Sequence, residues 1–341
     1  MASKSLIIHI GTQKTGSSAL QVSLTNNTQL LSENDIHFLK YSWQKSAYVL
    51  REIDWRDEAR LELERQNLKA MIDGVTESTV VLSCSEYIGD LDTSYADARE
   101  MAKKLDTVTK GYKRKIVVYI RRQDLLIESS YAQYVKQGAS YSFEDFMQKY
   151  DGYQFDWYKL LGTYREIFSV DNLAIKPYEK SQLFDGDVVK DFCNIIGINS
   201  QSGLKKPAYS NHGYSRAGLE IARVYNKIHA RNNEKKTQLR NMLQNRMPKR
   251  KYDSFYFLSF ADREAILAFY EESNRNVAKE YLKKENELLF EASLDEYASK
   301  QIRSNRLIFT DVVECFTAFV LKTLAAKIRQ IMGAEKLVTD R

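Results

Sequence analysis

The chain is poor in the residues that build staples and metal cages. Its three cysteines, Cys84, Cys193 and Cys315, are scattered and odd in number, so no disulfide framework is written in it. The four histidines and three cysteines show no ligand spacing, which argues against a zinc site. There are only three prolines and fourteen glycines in 341 residues, with no low-complexity linker and no internal repeat. With 43% hydrophobic residues, that composition argues for a packed chain rather than a disordered one. No apolar run reaches membrane-spanning length. No secretory signal is visible, because the first apolar run, Leu6 to Ile10, leads straight into a polar loop. What remains is a soluble enzyme or binding protein, long enough for one large α/β domain or two modest ones. A reducing bacterial cytoplasm is the expected location.

Against those deficits, residues 6–21 stand out. Leu6-Ile7-Ile8-His9-Ile10 predicts a buried strand, Gly11 to Gly16 a glycine-framed loop carrying Lys14, and Ser17 onward a helix start. Such a loop turns backbone amides and a helix N-terminus toward an anion, and the lysine adds a full positive charge. A Walker A loop has lysine directly after its second glycine. Here Ser17 follows Gly16 and the lysine comes two residues before it. The chain thus has the parts of a phosphate loop in an order that is not that of an NTPase.

A second apolar run, Lys115 to Ile120, ends in Arg121-Arg122 and is followed by a helical pattern from Leu125 to Tyr134. Asp124 is the expected N-cap of that helix. An arginine at the carboxyl end of a strand faces the ligand crevice of an α/β sheet, and Ser129, two turns on, can turn toward the same point. Guanidinium plus hydroxyl suits a phosphate monoester; a helix cap with a surface ion pair is the plain alternative. Between the two motifs, the stretch Ser78 to Tyr87 predicts a short buried strand ending in Glu86. In a parallel sheet the three carboxyl ends converge. A partly buried carboxylate there could take a proton from an attacking hydroxyl, or simply pair with Arg121 or Arg122. His9, inside a buried strand, and His37, on an expected strand Asp35 to Lys40, are the rival bases.

These segments resemble sulfotransferases that use 3'-phosphoadenosine 5'-phosphosulfate (PAPS), in particular bacterial carbohydrate-type enzymes. Lys14 to Ser18 is similar to their Lys-x-Gly-Ser/Thr-Ser/Thr loop for the 5'-phosphosulfate. Arg121, Ser129 and Tyr131 fit the arginine, serine and tyrosine spacing of their 3'-phosphate motif. Tyr178-Glu179, Asp191-Phe192 and Gly197-Ile198 keep a further pattern, and Asn211 and Ser215 match an Asn-x-x-x-Ser loop that closes over the nucleotide. Ser215 is equally a plain helix cap. Ser273 to Ala278 has a mostly structural counterpart.

The resemblance covers about residues 5 to 290. It implies a P-loop NTPase-like three-layer α/β sandwich with a mainly parallel sheet and a helical C-terminal part. It also implies PAPS as donor, 3'-phosphoadenosine 5'-phosphate (PAP) as product, and no metal. Its cofactor-binding set is Gln13, Lys14, Thr15, Gly16, Ser17, Ser18, Arg121, Ser129, Asn211 and Ser215. Lys14 would neutralise the bridging oxygen and Glu86 would act as base. The acceptor implied is a hydroxyl of a carbohydrate, in a cell-surface polysaccharide, lipopolysaccharide or glycolipid; no nucleic acid is expected. Two other classes stay open: a P-loop kinase-like enzyme, and a non-catalytic nucleotide-binding subunit of polysaccharide assembly.

The expected organisation is a domain over 1–305, α/β to about residue 200 and helical after it, followed by a C-terminal amphipathic helix and tail over 306–341. Arg231 to Lys251 holds eight Lys or Arg and one acid, the pattern of a solvated helix face, or of a surface that steers an acidic glycan. Ile308, Val312, Phe316, Phe319, Val320 and Leu324 form a helical stripe. The stripe is suited to packing on the domain or to pairing in a homodimer, and less to peripheral contact with the inner face of a membrane. Tyr41 to Arg51, in the region expected near the acceptor, shows no assignable pattern.

Overall fold

A computed structural model describes residues 4–39, 49–149, 155–198, 203–205, 213–246 and 256–298, with residues 313 and 317. The striped segment 308–332 is therefore almost wholly outside the described residues, as are Asn211 and the window 40–48.

The short apolar runs become strands: β1 (Ser5–Gly11), β2 (Ile36–Phe38), β3 (Thr79–Ser83), β4 (Lys113–Ile120) and β5 (Leu173–Pro177). They form one five-stranded sheet in the order β2-β3-β1-β4-β5. Every pairing is parallel, so the sheet is wholly rather than mainly parallel among the described residues. Continuous Val/Ile/Leu runs are what a parallel sheet covered on both faces requires. Ile7, Val81, Val117 and Tyr119 on one face form a cluster with Leu20 and Leu24 of α1 (Ser17–Asn26), Leu31 of α2 (Thr28–Glu33) and Val189 and Phe192 of a later helix, Val188–Ile195. Their neighbours of opposite parity, Leu6, Ile8, Val80, Leu82, Ile116, Val118 and Ile120, are also buried and face the other way.

The remaining α-helices among the described residues, in chain order, are α3 (Glu58–Asp73), α4 (Ala98–Val108), α5 (Gln123–Gln137), α6 (Phe143–Lys149), α7 (Trp157–Phe168), α8 (Val188–Ile195), α9 (Arg216–Ile228), α10 (Asn233–Arg246), α11 (Phe260–Phe269), α12 (Glu271–Glu280) and the short α13 (Asp295–Ala298). Helix α7 packs on β4 and β5, and α4 packs on α3 and α7. No helix among the described residues is long and apolar enough to cross a membrane.

The chain divides into two compact units. One comprises Met1–Leu126, Gly152–Ser210 and Asp262–Asp295 and contains the whole sheet. It also holds Ser273, whose Oγ donates to Asp156 (2.6 Å), and Asn274, bonded to Gln123 (2.9 Å), which gives the Ser273 to Ala278 stretch its structural role. The other comprises Ile127–Asp151, Asn211–Ala261 and Glu296–Arg341. Its core includes an aromatic cluster in which Tyr131 meets Phe143 and Phe257 edge-on, with Phe146 beside them. Glu128 holds Phe257 and Leu258 by their backbone amides (2.7 and 3.0 Å), and Asn226 spans the carbonyls of Val135 and Ala139.

Candidate active site

The three motif-bearing strands are the three central ones, β3-β1-β4. Parallel pairing brings their carboxyl ends to one edge of the sheet, where open α/β sheets bind ligands. At the end of β1, Gly11 (φ 105°) and Gly16 (φ 86°) both take left-handed conformations that side chains rarely adopt. A Cβ on Gly11 would press on Ser85, and one on Gly16 would come within 2.9 Å of Val188 Cγ1 and 3.4 Å of the Tyr178 hydroxyl. The glycines therefore let the loop lie close against β3's turn on one side and the end of β5 on the other. Lys14 at the loop's apex is also left-handed (φ 65°).

The loop is pinned from beneath and from both sides. Thr12 donates its amide (2.7 Å) and hydroxyl (3.0 Å) to the Tyr119 carbonyl of β4. Thr15 Oγ1 closes the loop on the Thr12 carbonyl (2.6 Å). Gln13 Nε2 donates to the carbonyls of Ser85 (3.0 Å) and Gly89 (3.1 Å), so this side chain staples the loop to the Glu86 turn and leaves the backbone for a ligand. Arg121 Nη1 donates to the Lys14 carbonyl (2.9 Å), and its guanidinium lies 5.8 Å above the Tyr178 ring.

Helix α1 starts on Gly16, which has no side chain to cap it. The helices that begin at Asp57, Asp156, Asp187 and Ser215 are closed by those residues' side chains. The first amides of a helix have no intrahelical acceptor, so those of α1 remain for an outside one. Ser17 Oγ is buried there with no partner among the described residues. A buried hydroxyl without a hydrogen bond is costly, and an anion seated on the loop would satisfy it. Ser18, next along, is exposed.

Glu86 does not end the strand: β3 stops at Ser83, and Glu86 lies in the 3-10 turn Ser85–Ile88 that follows it. Its carboxylate pairs with neither Arg121 nor Arg122 among the described contacts. Arg51 Nη1 donates to it at 2.6 Å and, with its other terminal nitrogen, to Asp90. Burial pushes the Glu86 carboxyl above its ordinary range, against the opposing pull of Arg51 and the Gln13 hydrogen bond. His9 is 1% exposed, and its Nδ1 lies 2.8 Å from Ser83 Oγ. Burial lowers its pKa to about 3. It is a neutral core histidine. His37 sits on the edge strand β2, 3.5 Å from Glu77.

Asp124 is not the N-cap of α5. The helix begins at Gln123, and Leu126 already bonds back to the Arg122 carbonyl. Asp124 is fully buried and held by the Arg122 guanidinium (2.8 and 3.0 Å) and by Arg263 (2.6 Å). Arg122 is thereby committed to structure, while Arg121, its neighbour, faces the loop. Ser129 lies two turns along α5, half-buried. Tyr131 is buried in the aromatic cluster of the second unit. Ser215 caps α9 by accepting from the Gly218 amide (3.1 Å). Asp191 of the Asp-Phe pair is buried and accepts from the Tyr119 hydroxyl (2.8 Å) and the Phe184 amide (3.1 Å), so it braces β4 from behind. Two residues outside the expected site set join the site: Arg51, from the end of the unassigned window, and Tyr178, from the Tyr178-Glu179 pair.

No family model matches the chain. An uncharacterized protein of Archaeoglobus fulgidus is 26% identical over 223 residues, which cover 65% of this chain and 60% of that protein. The chain thus spans less than two thirds of that relative's length. The crystal structure of a sulfotransferase from Alicyclobacillus acidocaldarius is similar at a TM-score of 0.40 and 17% identity, over 66% of this chain and 93% of that one.

Proposed function

We propose that the protein is a sulfotransferase that moves a sulfuryl group from PAPS to a hydroxyl, on a carbohydrate acceptor. The observation that carries this reading is the loop between Gly11 and Gly16. It has glycines in left-handed conformations, an uncapped α1 behind it, the orphaned Ser17 hydroxyl, and Arg121 bound to its apex. A phosphate-sized anion with a 5'-linked sulfate suits that donor set. Lys14 stands before the second glycine rather than after it, which speaks against the Walker-type kinase alternative.

In this reading the amides of Thr15 to Ser18 and the Ser17 hydroxyl hold the 5'-phosphosulfate. The donor supplies an activated sulfuryl group on a good leaving group. Lys14 offsets the negative charge that grows on the bridging oxygen. Arg121 holds the 3'-phosphate, the feature that separates PAPS from ATP. Glu86 takes the proton of the acceptor hydroxyl. A carboxylate that burial makes more basic is better suited to this than an exposed one. Its Arg51 partner keeps it from being neutralised outright.

The test is a thermal-shift comparison of PAP with ATP and magnesium. A ligand at a hundred times its dissociation constant stabilises by about 2.7 kcal/mol. PAP is expected to raise the melting temperature and ATP with magnesium to do so far less. An equal response to both would favour a kinase-like enzyme.

A further inference from the structure

We infer that Arg51 and Asp90 are positioning residues for Glu86: Arg51 aims its carboxylate and keeps it charged, and Asp90 shares Arg51 so that Glu86 remains basic. The inference rests on the sulfotransferase reading and names a device within that same site.

The geometry is a single guanidinium forked across two carboxylates. One terminal nitrogen of Arg51 donates to Glu86 Oε2 (2.6 Å) and the other to Asp90 Oδ2. All three side chains are about a quarter exposed, sheltered yet open to a substrate. Both ends of the fork are fixed. Arg51 stands between Leu50 and Ile53, which are buried. Asp90 accepts from the Asp92 amide (2.9 Å) with its other oxygen, and its own amide donates to Asp97 (2.7 Å). Gly89 (φ 116°) allows this, since a Cβ there would lie 2.7 Å from Asp97 Oδ1.

The charge count explains why two carboxylates are useful. A carboxylate with an arginine of its own is a weak base, because the cation favours the ionised form. Two carboxylates on one arginine leave a net negative charge. Burial and Asp90 push Glu86 up while Arg51 holds it down. The other groups around the cluster do not cancel this. Gln13 is uncharged, and Cys84 is buried with its thiol pushed up to about 11, hence neutral at ordinary pH. Lys14 lies on the loop across the turn. Asp97, just before α4, and Lys104 on it act on Arg51, and Lys104 Nζ donates to the Arg51 carbonyl (3.4 Å).

The experiment uses the full chain labelled with carbon-13 at glutamate side-chain carboxyls. The Glu86 signal is assigned by its loss in Glu86→Gln. Its titration midpoint is compared in the unaltered protein, Arg51→Gln and Asp90→Asn. Arg51→Gln should move the midpoint up by about one pH unit or more, the usual worth of a neighbouring opposite charge. Asp90→Asn should move it down. A merely structural role would not give opposite signs; movement in one direction for both, or in neither, overturns the inference. With PAPS and a hydroxyl acceptor, the acid limb of kcat/KM should follow the same midpoints, so Arg51→Gln regains rate as pH rises. A limb that stays put while the midpoint moves overturns it as well. Arg51→Lys, which keeps the charge and loses the fork, should restore the midpoint and still lower kcat. The titration needs neither donor nor acceptor. Absence of transfer in the unaltered protein would therefore count against the sulfotransferase reading, while the titration alone decides the Arg51–Asp90 arrangement.

Discussion

Protonation of His9 should cost the fold measurable stability well above the pH at which carboxylates dominate. The ring sits in β1, 1% exposed, with Nδ1 2.8 Å from Ser83 Oγ and the edges of Tyr119 and Phe192 at centroid distances of 5.8 and 5.6 Å. Nothing in that surrounding solvates a cation, and burial lowers the pKa from 6.5 to about 3. The folded state therefore keeps His9 neutral where the unfolded chain would protonate it. Stability from this group is fully present above pH 6.5 and is lost as pH falls toward 3. At pH 5, one and a half units below the unfolded value, the loss is about 2 kcal/mol at 1.36 kcal/mol per unit. Urea unfolding at intervals from pH 7 to 5 measures it, with His9→Asn as reference. Asparagine can keep a polar contact with Ser83 and does not titrate. Whatever its constant packing cost, the difference between the two proteins should shrink by about 2 kcal/mol over that range. Parallel curves would mean that the ring reaches water or a hidden carboxylate, and His9 would return as a candidate base.

Arg121→Ala should weaken PAP binding by tenfold or more, since a charge-assisted hydrogen bond is worth about 1.5–3 kcal/mol. It should weaken 5'-nucleotides without a 3'-phosphate by clearly less in calorimetric titration. Equal losses would reduce Arg121 to its bond with the Lys14 carbonyl. Asp124→Asn leaves the buried Arg122 and Arg263 without their carboxylate and should cost about 3–5 kcal/mol in urea unfolding. A loss under 1 kcal/mol would show that the cluster is open to water.

The parts of the fold that could be read from the sequence are those in which local pattern and tertiary fate coincide. A β-branched apolar run of five to eight residues is short for a helix and suits a strand covered on both faces, and β1, β3 and β4 duly form the sheet's centre. Once the sheet is parallel, their carboxyl ends meet, so the Lys14 loop, the Glu86 turn and Arg121 had to share one edge. The glycines of the loop were legible for the same reason, because left-handed backbone and close approach are properties of the residue itself. Asp124 does not cap its helix because two stronger partners compete for the carboxylate, and one of them, Arg263, is 139 residues away. No local pattern encodes that contact.

Arg51 escaped notice for a related reason. Its window carries no periodicity, and its partner lies 35 residues on, beyond a helix and a strand. Motifs record which groups a reaction requires. They do not record which counter-charge adjusts each group, because many placements of an arginine can serve and only the folded chain selects one. Glu86 shows the consequence. Its place near the carboxyl end of β3 was readable, whereas its basicity depends on sharing Arg51 with Asp90, a balance of burial against attraction that exists only once the turn, the Arg51 segment and the phosphate loop have come together.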